Sequence, residues 1–289
     1  MSTNREIDHV TGVETTGHEW DGIKELNKPL PRWWLLTFYA CIIWAIGYWI
    51  AYPAWPTLNG YTKGMLGYSQ RATVSGEVKA ATQAQSGMRD LLDKTPLADI
   101  KKNPELLRFA STGGAAAFQT NCGPCHGRGA QGSVGYPNLN DDDWMWGGKV
   151  EDIEQTLLYG IRSEHAKTRS SAMPKFGIDK LLTDVQIDDA TAYVQSISGG
   201  KADAAAVARG AVVFKEQCAS CHGDDGKGKL DQGSPNLTDG IWLYGSSTDA
   251  IATSIRTGRG GVMPAWTGRL DPVTIKSLAV YVHSLGGGK

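Results

Sequence analysis

Apolar positions recur at helical spacing along most of this chain, and in one stretch the polar face disappears altogether. Residues 33–52, WWLLTFYACIIWAIGYWIAY, carry no charged side chain. At about 1.5 Å rise per residue such a helix spans roughly 30 Å, the depth of a bilayer's hydrocarbon core. Trp33 and Trp34 stand at one end and Tyr48, Trp49, Tyr52 and Trp55 at the other, where aromatic belts form. Pro53 and Pro56 end the helix. A cleaved signal peptide does not fit: a long mixed polar segment precedes the run, the run is too long, and no A-x-A site follows it. The pattern therefore predicts an uncleaved single-pass anchor at 33–52. Cys41 within it reads as a small apolar filler. Lys24, Lys28 and Arg32 precede the anchor and only Lys63 follows closely. That asymmetry places segment 1–32 in the cytoplasm and everything after the anchor in the periplasm of a bacterial inner membrane.

Beyond the anchor, 53–108 is polar and reads as a linker or a partner-facing helical segment. SQRATVSGEVKAATQAQSGMRDLLDK has a weak apolar face, and PLADIKKNPELLRFA adds a short piece between prolines. The chain then repeats itself in order. The first copy, 109–199, runs GAAAFQTNCGPCHG, Pro137-Asn-Leu, Trp144, YGIR, AMPKFG and YVQSISG. The second, 200–289, runs GAVVFKEQCASCHG, Pro235-Asn-Leu, Trp242, SIRTG, VMPAW and YVHSLGG. Each copy predicts a leading helix, a middle helix (EDIEQTLLYGIR, STDAIATSIRTG) and a closing helix. The closing helices have strong starts: Thr183 with Gln186 fits a capping box, and Asp271-Pro272 fits an N-cap followed by proline. Neither copy shows a convincing strand.

Composition narrows the chemistry. A net charge of −1 over 289 residues gives no footprint for nucleic acid. Of five cysteines, four fall in two C-x-x-C-H motifs: Cys122, Cys125 and His126, then Cys218, Cys221 and His222. A disulfide or redox dithiol needs no following histidine. A zinc site built from both pairs would leave the histidines and the repeated Met-Pro unexplained. C-x-x-C-H is the attachment signature of c-type haem, so the repeat predicts two covalently bound haem c groups. Cys122, Cys125, Cys218 and Cys221 would form the thioethers, with His126 and His222 as axial iron ligands. Met173-Pro and Met263-Pro recur at matching places and are the candidates for the opposite axial positions, since His/Met ligation suits a higher-potential electron carrier. Met65, Met88, Met145, His165 and His283 have no counterpart in the other copy and read as structural. Pairing within each copy, or crossed between copies, is open at this level. The carbonyls of Pro137 and Pro235 are candidate acceptors for the histidines' second N–H. Filled axial positions argue against oxygen or peroxide chemistry at these sites. The expected fold is mainly α: one transmembrane helix followed by two tandem class I cytochrome c-like helical domains.

NKPLPRWW ahead of the anchor, YPAWP after it, and two C-x-x-C-H copies with Met-Pro loops resemble subunit III of cbb3-type cytochrome c oxidases, the CcoP/FixP family. The likeness runs from Asn27 to the C-terminus. It implies the electron-transfer subunit of a membrane-bound terminal oxidase, with no catalytic centre of its own. Electrons would arrive from a soluble cytochrome c or the cytochrome bc complex. They would pass to a mono-haem cytochrome c subunit and on to the catalytic haem–copper subunit. A free-standing membrane-tethered shuttle and a di-haem peroxidase are the competing readings.

Overall fold

The computed structural model describes residues 6–287. The chain divides into two compact units, Met1–Gln83 and Ala84–Lys289.

The first unit opens with a hairpin, β1 (Thr15–Trp20) and β2 (Ile23–Leu26), in which Trp20 pairs with Ile23. Asp21 and Gly22 both have positive φ, 47° and 83°, the primed-turn geometry that Asp-Gly favours. The sequence reading assigned no strand to 1–32, of which residues 1–5 lie outside the described part. Helix α1 (Arg32–Ala51) is the expected span moved by one residue, and none of its side chains is buried. A helix apolar on every face and uncovered by protein fits a bilayer as its solvent. Its last carbonyls do not go unpaired: Met65 N–H donates to Ile50 O (2.9 Å) and Leu66 N–H to Ala51 O (3.0 Å). Gly64, at φ 71°, permits that return, because a Cβ there would collide with the Ala51 carbonyl. A minimal hairpin, β3 (Pro56–Thr57) and β4 (Gly60–Tyr61), precedes α2 (Gln70–Ala84).

The expected single helix over 69–94 is broken at Gln85. Ser86–Gly87 follow the break, a pair that weakens a helix, and the apolar stripe begins only after it. The second unit starts with α3 (Ser86–Lys94) and α4 (Leu97–Ile100). Helix α5 (Pro104–Asn121) leads into a one-turn helix α6 (Gly123–His126), and α7 (Val150–Tyr159) and α8 (Asp184–Ile197) follow. The second copy supplies α9 (Ala204–Gln217), α10 (Ala219–His222), α11 (Thr248–Thr257) and α12 (Pro272–Ser284). Several helix starts carry side-chain caps. Asn103 accepts from the N–H groups of Glu105 and Leu106, the Thr183/Gln186 capping box forms, and Asp271 accepts from Thr274 N–H.

The packed bodies are not the sequence copies. Helix α5 of the first copy packs on α12 of the second, while α8 of the first packs on α9 of the second; α7 joins the first pair and α11 the other. The boundary expected at 199/200 therefore marks the repeat but not the cores. One core unites Phe118, Cys122, Ile153 and Leu157 with Ile275, Leu278, Ala279 and Val282. The other unites Phe176, Ile187, Ala190 and Val194 with Val213, Phe214, Ile251 and Ile255. Each helix crossing is made close by a glycine. A Cβ on Gly114 would collide with the Ser277 carbonyl, and one on Gly210 with the Asp189 carbonyl. Rings close each crossing, Phe118 on Tyr281 with centroids 5.4 Å apart and Phe214 on Tyr193 at 5.0 Å.

Residues 86–100, part of the segment expected as a linker or a partner-facing helical piece, pack into the first of these bodies. Leu92 and Ile100 are buried with Leu106, Ala110 and Val280 in a third cluster. Lys276 on α12 donates to the carbonyls of Leu92, Asp93 and Thr95 at 2.8–3.1 Å, placing a cation at the C-terminus of α3.

Candidate functional site

Both C-x-x-C-H motifs form a single helical turn after a long helix. His126 N–H donates to Cys122 O and His222 N–H to Cys218 O, each at 2.9 Å. One turn carries both cysteines and the histidine to one side of the chain, as attachment to a single macrocycle requires. Gly127 and Gly223, both at φ 79°, then reverse the chain. The reversal is fastened by Gly132 N–H to His126 O and Gly228 N–H to His222 O, each 2.8 Å.

The reversal delivers the proline carbonyls. His126 Nδ1 lies 3.0 Å from Pro137 O and His222 Nδ1 lies 3.2 Å from Pro235 O. A carbonyl only accepts, so Nδ1 carries the hydrogen and Nε2 keeps its lone pair for a metal. Burial pushes both imidazoles below their ordinary pKa, against the smaller opposing effect of the proline carbonyls. Both rings are therefore neutral at neutral pH and suited to ligate iron. Burial, reinforced by the neighbouring cysteine, pushes the Cys122 and Cys218 thiols up to about 11. Reactive dithiols and thiolate metal sites depend on lowered thiol pKa values, so these pockets do not suit redox exchange.

The methionine loops are exchanged between the bodies. Met263 packs against the core that contains Cys122, and Met173 against the core flanked by Cys218. Ile161, just after α7, exchanges backbone hydrogen bonds with Met263, while Met173 N–H donates to Arg259 O (3.0 Å) after α11. Gly160 and Gly258, at φ 71° and 70°, admit these loops. A Cβ at Gly160 would collide with Met263 O, and one at Gly258 would stand 2.5 Å from Met173 O. His165, by contrast, lies against the Tyr159 ring at 4.9 Å and accepts from Lys167 N–H through Nδ1. That occupies the lone pair an iron would need.

The two bodies meet through equivalent aromatics. Trp146 of the first copy seats against Gly233, two residues before Pro235. Its counterpart Tyr244 contacts Gly135, two residues before Pro137, beside a hydrogen bond of 2.8 Å from Gly135 N–H to Leu243 O. Arg169 and Arg259 cover these rings at 5.2 Å and 4.0 Å from the centroids. The segments that orient the two histidines are thus tied to one another. One residue that sequence reasoning gave no role is Trp266, three residues after Met263. Its indole nitrogen is the buried side-chain polar atom without a partner among the described residues. An unpaired buried donor on a ring that packs, like Met263, against the core containing Cys122 fits a pocket completed by a prosthetic group with acceptor atoms. The signal in sequence was the unequal ending of two matched loops, Met173-Pro-Lys-Phe and Met263-Pro-Ala-Trp.

Comparison with known proteins agrees with this architecture. Residues 110–194 and 205–282 match the family described as cytochrome C oxidase, cbb3-type, subunit III. Residues 12–59 match the N-terminal domain of cytochrome oxidase-cbb3, FixP. The chain is 55% identical over 293 residues to the cbb3-type cytochrome c oxidase subunit FixP of Bradyrhizobium sp. (strain ORS 278), covering 100% of both. It is 53% identical over 290 residues to the FixP subunit of Bradyrhizobium diazoefficiens, again over 100% of both. Against the CcoP subunit of Cereibacter sphaeroides it is 52% identical over 276 residues, 95% of each chain. With its apolar anchor helix, its haem-c-binding domains and these relatives, the chain belongs to the subunit III family of cbb3-type cytochrome c oxidases.

Proposed function

We propose that this chain carries two c-type haems and relays electrons from a donor cytochrome toward the catalytic haem–copper subunit of the oxidase. The observation that carries the proposal is the pair of equivalent cradles, each with a neutral histidine fixed by a proline carbonyl and a methionine loop packed against the same core. Haem c, when bound, supplies a one-electron carrier. Cys122 and Cys125 would hold one group and Cys218 and Cys221 the other, with His126 and His222 presenting Nε2 to iron. The packing supports crossed axial pairing, Met263 with His126 and Met173 with His222. The chain's own part is to hold these ligands, keep water and substrates from the iron, and fix one body against the other through Trp146 and Tyr244. Oxygen reduction then takes place in another subunit.

The charge asymmetry around α1 supports a cytoplasmic N-terminus and periplasmic haem bodies. A soluble cytochrome c or the cytochrome bc complex is the proposed donor, and a mono-haem cytochrome c subunit the next carrier. The test is gentle solubilisation and purification through a tag on this chain. Two covalent c haems per chain, co-purifying b-type haem and oxygen-reducing activity driven by reduced cytochrome c are expected. A solitary polypeptide across mild detergents would overturn the oxidase role in favour of a tethered shuttle.

A further inference from the structure

We propose that the indole N–H of Trp266 donates a hydrogen bond to a propionate of the c-type haem attached at Cys122 and Cys125, and that the other haem lacks this donor. The inference rests on the two-haem reading above. Trp266 Nε1 is buried and has no partner among the described residues, whereas the indole N–H of Trp144, in the same core, is satisfied by Asp141 O at 3.0 Å. Loop slack does not explain the difference. Trp266 N–H donates to Leu157 O (2.9 Å), and the Trp266 carbonyl accepts from Arg269 and Leu270 (3.0 Å each). The Arg269 guanidinium stands 6.0 Å from the ring centroid. The residue is thus held at both backbone atoms while its ring packs in the core that contains Cys122 and Met263.

A buried donor that native proteins would ordinarily pair points to an acceptor supplied from outside the chain. The macrocycle offers apolar faces and thioethers. Its strong acceptors are the two propionate carboxylates, to which an N–H makes a charge-assisted bond. The repeat makes the assignment one-sided. The residue matching Trp266 is Phe176, which is buried in the other core and has no hydrogen to donate. One propionate would therefore be held ionised by an indole that its counterpart lacks. A carboxylate's charge favours ferric iron, and a donor that shares that charge favours the ferrous state of that haem.

The test uses the full-length, haem-loaded chain and its variants W266F and W266H. Resonance Raman of the propionate-bending bands and spectroelectrochemical titration across pH are the readouts. W266F should shift the bending band of one haem. At fixed poise it should also move that haem's oxidised-to-reduced ratio roughly three- to tenfold toward oxidised, a fraction of the full strength of one charge-assisted bond because the bond forms in both oxidation states. The pH at which that haem's potential begins to change should rise, while the haem at Cys218 and Cys221 stays as it was. W266H, which keeps an N–H, should restore much of the difference. A W266F chain with both haems attached and unchanged bands and pH profile would overturn the inference. If W266F fails to take up haem, indole ¹⁵N NMR of the wild-type haem-loaded chain decides instead. One indole N–H should follow a propionate titration, and no such coupling would contradict the proposal. Haem content and resistance to carbon monoxide in the same samples report separately on the two-haem reading.

Discussion

Ile161 and Met263 exchange two backbone hydrogen bonds of 3.0 Å each, across the boundary between the two sequence copies. That short antiparallel bridge seats the second copy's methionine loop at the end of the first copy's middle helix. Its mirror is the Met173 loop, fastened to Arg259 and, through Gly177, to Arg256 of the second copy. Neither body can be completed by one copy alone. The chain's two C-x-x-C-H motifs therefore depend on each other's closing segments.

The glycines at the helix crossings should be intolerant of any side chain. Gly210→Ala places a methyl group into the Asp189 carbonyl, and the neighbour is backbone that cannot rotate aside. Overpacking of this kind costs about 1–3 kcal/mol. The expected outcome is a lower unfolding midpoint, with the ligand change at the Cys218 haem preceding that at the Cys122 haem, read from optical spectra of chains that keep only one of the two C-x-x-C-H motifs. Gly114→Ala should reverse the order.

Lys276 should fasten α3 to the first body. Lys276→Met keeps the aliphatic stem but removes three hydrogen bonds to carbonyls at the helix end. A loss of about 1–3 kcal/mol is expected, and cleavage between residues 86 and 100 in limited proteolysis should speed up while haem content stays constant. Equal proteolysis rates would contradict the assignment of this segment to the body.

Asp143 should give stability a defined pH dependence. Burial, and then the Asp239 and Asp141 carboxylates, push its pKa up to about 6. The folded state therefore binds this proton more tightly than the unfolded chain, and its benefit is fully present below the unfolded pKa near 3.8. Stability is lost as pH rises from there to about 6, and the deficit is constant above. Asp143→Asn should match the wild type at about pH 4 and show a higher unfolding midpoint at about pH 7.5. A midpoint difference that does not change with pH would contradict this.

Most helices and the local geometry of the candidate site were legible because both are set locally. C-x-x-C-H, Met-Pro, the proline acceptors and the caps at Thr183 and Asp271 are each set within a few residues. The exchange between copies was not legible, for a physical reason. Gly114 with Phe118 and Gly210 with Phe214 are the same surface at the same spacing, and so are Ser277 with Tyr281 and Asp189 with Tyr193. Periodicity tells which face of a helix is buried, but two interchangeable surfaces leave the partner unspecified. The N-terminal hairpin is a different case, since Asp21-Gly22 between Trp20 and Ile23 is a turn signal that could have been read. The break at Gln85 was hidden because α2 and α3 are each compatible with a helix, and only burial of Met88 and Leu92 separates them.

The central claim is the crossed pairing of axial ligands, and single-haem chains test it most directly. In a chain with Cys218 and Cys221 replaced by alanine, only the haem at Cys122 and Cys125 remains. Met263→Ala in that background should open the iron to carbon monoxide and lower its potential, while Met173→Ala should leave both unchanged. The reciprocal chain, lacking Cys122 and Cys125, should respond to Met173→Ala and not to Met263→Ala. Carbon monoxide binding at the Cys122 haem caused by Met173→Ala, with Met263→Ala silent, would show pairing within each copy and contradict the account.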